Sequence, residues 1–485
     1  MSKLLNNYFY NVTYQIFIIL TPLITMPYIA RVLGPEMIGQ YNYTNSIVQY
    51  FILVGCLGLN LYGQREIAYA QNNKGKYSKV FISIVLIKSC TILISLGIYL
   101  LFIKFYNKFT IIFLIQILDI IANIFDITWF YQGLENFKNV VIRNLVIRSI
   151  TIVMLFLLIK SPEDIYIYIS YQSITILVAN LTMWINLKKL IIKTRISFVD
   201  LIKHFKLALL VFIPQIAASL YTVLDKTMIG IITHNNSEVA FYQQAQTIVK
   251  TTMAIVTSLG TVMMPRIAHA FSNKDYDQIN KNMYFSFKFI FILSLPIIFG
   301  LLSISDYFVP WFFGAGYDKV SFNINIMSPI VAFIGMTNLL GTQYLLIVGK
   351  EKYFTISIII GTITNFIFNL IFIPIFLSYG AAFGTLIAEF CVLVYQIFSV
   401  KNDFSIKIIF QGLLNPLLSS IIMFFTLSII KIYMSKTLIC TVILIIIGII
   451  IYLMSLILLR DKFFIYLVTN FYDKICSNKS RNPRN

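Results

Sequence analysis

Apolar stretches of about twenty residues, the length an α-helix needs to cross ~30 Å of hydrocarbon, recur from end to end of this chain. They fall near 10–31, 42–63, 80–103, 109–132, 144–160, 165–187, 207–232, 241–264, 285–309, 324–347, 354–374, 378–400, 413–433 and 438–459. Within a bilayer each backbone amide must be bonded inside the structure, which leaves helices as the way to use such segments. The expected fold is therefore an all-α integral membrane protein with about 14 transmembrane helices. At 59% hydrophobic and 12% charged side chains, the chain leaves no stretch between spans long enough for a soluble domain. Met1 to Tyr10 lacks the basic, short apolar and small-residue regions of a cleaved signal peptide, so the first stretch is expected to remain as a span.

The formal net charge of +19 raises the question of a nucleic-acid partner, and its placement answers against one. If the N-terminus is cytoplasmic, the inner loops collect Arg65, Lys74, Lys76, Lys79, Lys138, Arg143, a run from Lys188 to Lys206, Arg266, Lys274, Lys350 and Lys401. The outer side keeps only Arg31, Lys104, Lys108, Lys160, Lys319, Lys431 and Lys436. This asymmetry predicts a multi-pass protein with both termini in the cytoplasm. Trp129, Tyr131, Trp184 and Trp311 stand near segment ends, where interfacial aromatic belts form. The five cysteines are scattered without paired spacing, and the three histidines fall in separate loops, so no metal site is expected.

The chain reads as two weakly similar halves. Phe17–Pro22 resembles Leu209–Pro214, Glu36–Tyr41 resembles Glu238–Tyr242, and Gly133–Phe137 resembles Gly349–Tyr353. Each match recurs six segments later, an even number, so the copies keep one orientation about a pseudo-two-fold axis along the membrane normal. The expected domains are a six-helix lobe over 1–187, a connector over 188–206 and a second six-helix lobe over 207–400. Two additional helices over 401–459 and a basic cytoplasmic tail over 460–485 complete the chain. In the connector, Ser197 can cap a helix with Asp200 in its first turn, while Phe198, Leu201, Ile202 and Phe205 share a face. It is expected to lie on the cytoplasmic membrane surface. Gly380 and Gly384 are spaced for close helix packing, and Pro22, Pro214 and Pro296 for kinks.

Four spans carry a polar stripe on one helical face. These are Asn42, Asn45, Ser46 and Gln49 in the second, and Gln116, Asp119, Asn123 and Asp126 in the fourth. The seventh has Gln215, Ser219, Thr222 and Lys226; the eighth has Gln243, Gln246, Thr247 and Lys250. Hydrocarbon does not solvate such groups, so they face one another or a watery pathway. For each intramembrane charge (Lys88, Asp119, Asp126, Asp225, Lys226, Lys250 and Glu389) structural pairing between helices competes with function. Lys88 and Asp126 are matched in depth and are expected to form a structural ion pair. Lys226 is a cation available to an anionic cargo. Arg31 at the end of the first span is most simply a snorkelling residue at the interface, the commoner explanation at such a position. Asp119 and Glu389 lie near mid-membrane and are candidates for ion coupling. No nucleotide-binding loop, catalytic triad or carboxylate pair on an outer loop is present, so no catalytic residue or cofactor is expected.

Arg31–Glu36 with Gly39–Tyr41, Thr128–Phe137, Leu224–Gly230, Ser258–Arg266 and Gly341–Lys350 resemble the polysaccharide (O-antigen and capsule repeat-unit) flippases. These belong to the multidrug/oligosaccharidyl-lipid/polysaccharide exporter superfamily. Trp129–Glu135 is the most specific stretch, and the similarity runs through twelve segments. The resemblance implies two six-helix lobes plus two C-terminal helices, around a V-shaped cavity lined by segments one, two, seven and eight. It implies a bacterial cytoplasmic-membrane flippase that moves an undecaprenyl-diphosphate-linked oligosaccharide from the inner to the outer leaflet by alternating access. Its implied partners are membrane lipid and a polysaccharide polymerase with other assembly proteins. On these segments Arg31, Asn45, Gln49, Asp225, Lys226, Gln246 and Lys250 are the candidate cavity residues. A multidrug and toxin exporter is the near alternative, with usually twelve spans and cationic cargo. A membrane glycosyltransferase or polymerase is the alternative of another class, and would normally show a large outer loop.

Overall fold

The computed structural model describes residues 2–258, 260–466 and 469, and among these the regular elements are helical. They form two compact units, Met1–Ala240 and Phe241–Asn485. The first contains α1 (Ser2–Cys56), α2 (Leu59–Ala70), α3 (Lys74–Phe105), α4 (Thr110–Ile115), α5 (Ile117–Ile124) and α6 (Thr128–Gly133). It continues with α7 (Phe137–Leu158), α8 (Ile165–Thr182), α9 (Leu187–Leu190) and α10 (Phe198–Thr233). The chain then enters α11 (Asn236–Thr257), α12 (Gly260–Ser272), α13 (Tyr276–Phe313), α14 (Asp318–Met327) and α15 (Ile330–Leu340). The last helices are α16 (Glu351–Phe376), α17 (Ser378–Val400), α18 (Ile406–Phe410), α19 (Leu414–Ile430) and α20 (Leu438–Leu458). Most of the tail expected over 460–485 lies outside the described residues.

Eleven stretches among the described residues are long and apolar enough to cross a membrane, against about fourteen expected. The first, Leu20–Ala70, holds 51 residues, ample for two crossings, and contains most of the first two expected segments. They are separated where α1 breaks at Gly34, with φ 72° and ψ 170°. A residue before proline is driven out of the α region, and a positive φ favours glycine, so Gly34-Pro35 enforces the break that Pro22 does not. The seventh and eighth segments, helical in α10 and α11, are not among the eleven. In α11 the repeated Gln and Thr dilute the apolar run.

The connector differs from a separate surface helix. Residues 191–197 carry no regular secondary structure, and α10 starts at Phe198 and runs unbroken into the seventh segment. The capping box is formed: Val199 N donates to Ser197 Oγ at 3.3 Å, and Ser197 N to Asp200 Oδ2 at 3.0 Å. The connector is tied to α3, because Tyr77 OH donates to Leu190 O, Lys74 Nζ to Lys189 O, and Ile192 N to Ser78 Oγ. Lys79 and Asp200 add an ion pair at 2.7 Å. Beyond it α10 packs against α1: Ser46 and Tyr50 share hydrogen bonds with Thr227 at 2.8 and 3.0 Å, and Gly230 abuts the Tyr43 ring. The seventh segment therefore belongs to the first compact unit, and the division falls one helix later than the sequence repeat.

In the second unit α16 and α17 form a close antiparallel pair. A β-carbon at Gly380 would collide with the Phe372 backbone, and one at Gly384 with Asn369, which accounts for their spacing. The two last helices pack on α13 through Ile304, Met423, Leu427, Leu444 and Leu456. Polar contacts fix both ends: Lys288 reaches Asp461, and Lys431 reaches Asp306 at 3.0 Å.

Candidate functional site

The polar residues of the first unit converge where α2, α3 and the α5–α6 junction meet. Lys88, 1% exposed, donates to Asn60 Oδ1 at 2.8 Å and to the backbone O of Asp126 at 2.9 Å. Its ammonium lies 3.8 Å from Asp126 Oδ2, to which Asn60 Nδ2 donates at 3.4 Å. Asn60 therefore links the two ions, with its oxygen on the cation and its nitrogen on the anion. Helix α5 stops at Ile124, and Asp126 Oδ1 accepts from Thr128 N at 3.0 Å, an aspartate turn that starts α6. The same residue thus makes the chain break and places the charge.

Beside this network lies a cavity of ≈720 Å³ within the first unit. Its wall carries Asn60 and Gln64 from α2, Asn123, Asp126 and Gln132 from the α5–α6 region, and Gln215 from α10. Thr128 of α6, Arg143 and Asn144 of α7 and Asn180 of α8 complete the polar lining among the described residues. Arg143 Nη1 donates to Ala179 O at 2.8 Å and Nε to Asn144 Oδ1 at 3.1 Å, which holds the guanidinium along the wall. Asn180 Nδ2 donates to Ala122 O at 2.8 Å. Gln215 Oε1 is buried and has no hydrogen-bond partner among the described residues.

Trp129 and Tyr131 are buried here and do not form an interfacial belt. Trp129 Nε1 donates to Asp126 O at 3.2 Å with its ring stacked on Phe81, and Tyr131 OH donates to Met183 O at 2.7 Å. The half-buried Trp184 and Trp311 also spend their indole N–H inside the bundle, on Phe125 O and Thr441 Oγ1. Distance along a helix reports depth in the membrane but not which way a ring turns.

The remaining candidates are dispersed. Arg31 on α1 is exposed, Asn45 and Gln49 on α1 are half-buried, and on α10 Asp225 is buried beside the half-buried Lys226. All five belong to the first unit, whereas Gln246, Lys250 and Glu389 belong to the second. Lys250 is exposed and Glu389 is buried. Gln246 Nε2 donates to Tyr242 OH, which shares a hydrogen bond with Thr385, and Gln243 donates to Thr247. Part of the eighth stripe therefore satisfies itself within its own unit. In the first unit Asp119 is 5% exposed and Gln116 fully buried, and neither Asp119 Oδ1 nor the Gln116 amide has a partner among the described residues. No group of three or more His, Cys, Asp or Glu able to hold a metal occurs among the described residues. Asn60 and Asn180 are single polar residues outside any stripe and carry no signal in the sequence; Arg143, expected in an inner loop, lies within α7 on the cavity wall. Sequence reasoning also passed over Lys288 and Asp461, although Asp461 is an acidic residue in a basic tail.

Apolar helices long enough to span a bilayer, with ionisable and amide side chains gathered inside, define a multi-pass membrane protein of the transporter class. The sequence family described as "Polysaccharide biosynthesis protein" matches residues 4–271, more than half of the chain, and the MatE family matches 211–375. The chain belongs to the polysaccharide biosynthesis protein family, within the multidrug/oligosaccharidyl-lipid/polysaccharide exporter superfamily. It is 26% identical over 405 residues to a protein of Escherichia coli (strain K12) carrying the name O-antigen transporter, covering 79% of this chain and 93% of that one. A Shigella dysenteriae protein of the same name is 23% identical over 387 residues, 79% of this chain and 96% of that one. The fold is shared with the lipid II flippase MurJ in an inward closed conformation, with TM-score 0.76, 19% identity and coverage of 94% and 99%. It is also shared with an inward-facing MATE family multidrug transporter, with TM-score 0.63, 12% identity and coverage of 79% and 94%.

Proposed function

We propose that this protein is a flippase for lipid-linked polysaccharide precursors in the bacterial cytoplasmic membrane, and a transporter rather than an enzyme. The observation that carries the reading is the family match over 4–271, which takes in every polar stripe. The O-antigen transporters, matched over 79% of this chain, support it. The cargo in this reading is an undecaprenyl-diphosphate-linked oligosaccharide, carried from the inner to the outer leaflet by alternating access between two six-helix lobes. Arg31, Lys226 and Lys250 attract the diphosphate, and the compact ammonium of lysine does so without the rigid two-point grip of arginine. Asp225 tempers that attraction so the cargo can leave, while Asn45, Gln49 and Gln246 offer hydrogen bonds. Asp119 and Glu389 are the proposed ion-coupling groups, and a polysaccharide polymerase is the proposed partner downstream.

The MatE match favours a second reading, a multidrug exporter, whose cationic cargo these lysines would repel. Proteoliposomes containing fluorescent undecaprenyl-diphosphate glycans decide between the two. Flipping of the glycan lipid is expected, and Lys226→Gln with Lys250→Gln should slow it without lowering the amount of folded protein. An unchanged rate in the double variant overturns the cationic mechanism; export of cationic dye in place of glycan lipid overturns the reading itself.

A further inference from the structure

We propose that the open cavity bordered by α2, α5, α6, α7, α8 and α10 is a carbohydrate subsite that takes an uncharged sugar ring of the cargo. The proposal rests on the flippase reading and adds a location and a chemistry to it. Half of the described residues that line the cavity are asparagine or glutamine. A carboxamide presents one acceptor and one two-hydrogen donor side by side, the pattern that neighbouring ring hydroxyls complement. Gln215 lines the cavity, and its buried Oε1 has no partner among the described residues, an acceptor that a turn of the carboxamide would present to a ligand hydroxyl. The Asp126 carboxylate, already fixed by Thr128 N and Asn60 Nδ2, keeps acceptor capacity facing the cavity wall.

The same geometry disfavours the other parts of a lipid-linked glycan. A diphosphate would meet the carboxylate of Asp126, and Arg143, the lining cation among the described residues, already donates to Ala179 O and Asn144 Oδ1. Lys88 does not line the cavity, and its ammonium is occupied by Asn60 and the Asp126 backbone. Among the described residues, a polyprenyl chain would find Leu61, Ile176 and Ala179 as aliphatic partners beside the Trp129 ring. At ≈720 Å³ the cavity is within the range of small-ligand sites and has room for more than one ring.

The test uses the full-length protein in lipid nanodiscs and saturation-transfer NMR with a panel of free neutral disaccharides, N-acetylchitobiose and lactose among them. Inorganic pyrophosphate and tetraphenylphosphonium serve as anionic and cationic probes. At least one disaccharide should receive saturation. Gln215→Leu and Gln64→Leu should each weaken its binding roughly three- to tenfold, the loss of one hydrogen bond. Neither charged probe should displace the sugar. No saturation of any disaccharide in the native protein, or equal binding in both well-folded variants, overturns the proposal. So does displacement by pyrophosphate, which would make the cavity an anion site. Glycan-lipid flipping in proteoliposomes is measured on the same preparations. Flipping that persists with its glycan preference intact in a Gln64→Leu, Gln215→Leu double variant removes the subsite and leaves the flippase reading standing. Sugar binding sensitive to both variants in a protein that flips no glycan lipid does the opposite.

Discussion

Lys288 and Asp461 stand 173 positions apart in the chain and 2.5 Å apart in space, and both are buried. Lys288 also donates to Gly412 O at 3.0 Å, so one ammonium joins α13 to the approach to α19 and to the residues that follow α20. Tyr452 OH adds a bond to Ile292 O at 2.8 Å.

Breaking this pair from one side should be costly. Lys288→Met leaves a buried carboxylate without its cation, and a loss of about 3–5 kcal/mol is expected. A double variant with Asp461→Leu should recover most of it, because an apolar pair restores neutrality. Thermal unfolding followed by tryptophan fluorescence measures both; a double variant no more stable than the single one refutes the pairing argument.

The Lys88 network predicts an asymmetry. Asp126→Asn keeps an oxygen for Thr128 N, and Lys88 retains Asn60 Oδ1 and the Asp126 carbonyl. Lys88→Met removes the donor from both acceptors, Asn60 Oδ1 and the Asp126 carbonyl, and the charge from the 3.8 Å contact with Asp126 Oδ2. The lysine variant should therefore lose stability by at least ~1 kcal/mol more than the aspartate variant. Equal unfolding midpoints would show that the 3.8 Å charge contact dominates instead.

Gly230 and Gly97 should respond oppositely to alanine. A β-carbon at Gly230 overlaps the Tyr43 ring, so overpacking of about 1–3 kcal/mol is expected, with a lower yield of folded protein. At Gly97 nothing lies within 4 Å, and alanine in the middle of α3 should leave stability unchanged or raise it by up to about 1 kcal/mol. Size-exclusion profiles after graded heating compare the two.

His204 and Tyr62 share a hydrogen bond of 2.7 Å. Burial holds the imidazole below its ordinary 6.5; Glu66 and Asp200 pull it upward, and Lys203 and Lys79 push it down. A depressed pKa means that the unfolded chain takes up the proton first. This contribution to stability is complete above pH 6.5 and is lost as pH falls from there through the lower folded value. A scan of unfolding temperature between about pH 7.5 and 5 should show the decline. His204→Gln should flatten it, and an identical slope in that variant would assign the decline to other groups.

Hydropathy exposed the spans because hydrocarbon leaves a helix no alternative, and Ser197 with Asp200 announced a helix start because a cap is a local bond. Lys88 and Asp126 were legible for a related reason: a buried charge demands an opposite charge at its own depth. Asn60 was not, since its part depends on α2 and α3 bringing it between two ions, which no local pattern records. The eighth stripe is ambiguous in sequence for the same cause. Gln243 finds Thr247 one turn away and Gln246 finds Tyr242, so polarity in a span does not by itself mean contact with cargo.

The placement of α10 changes what the connector is for. By packing, this helix is a member of the first compact unit; by covalent continuity, it leads into the second. A backbone cut anywhere in 191–197 would therefore release no lobe. The two polypeptides would remain clasped through Thr227 on Ser46 and Tyr50, Gly230 on Tyr43 and His204 on Tyr62. Genes split at that point should yield halves that find each other in the membrane.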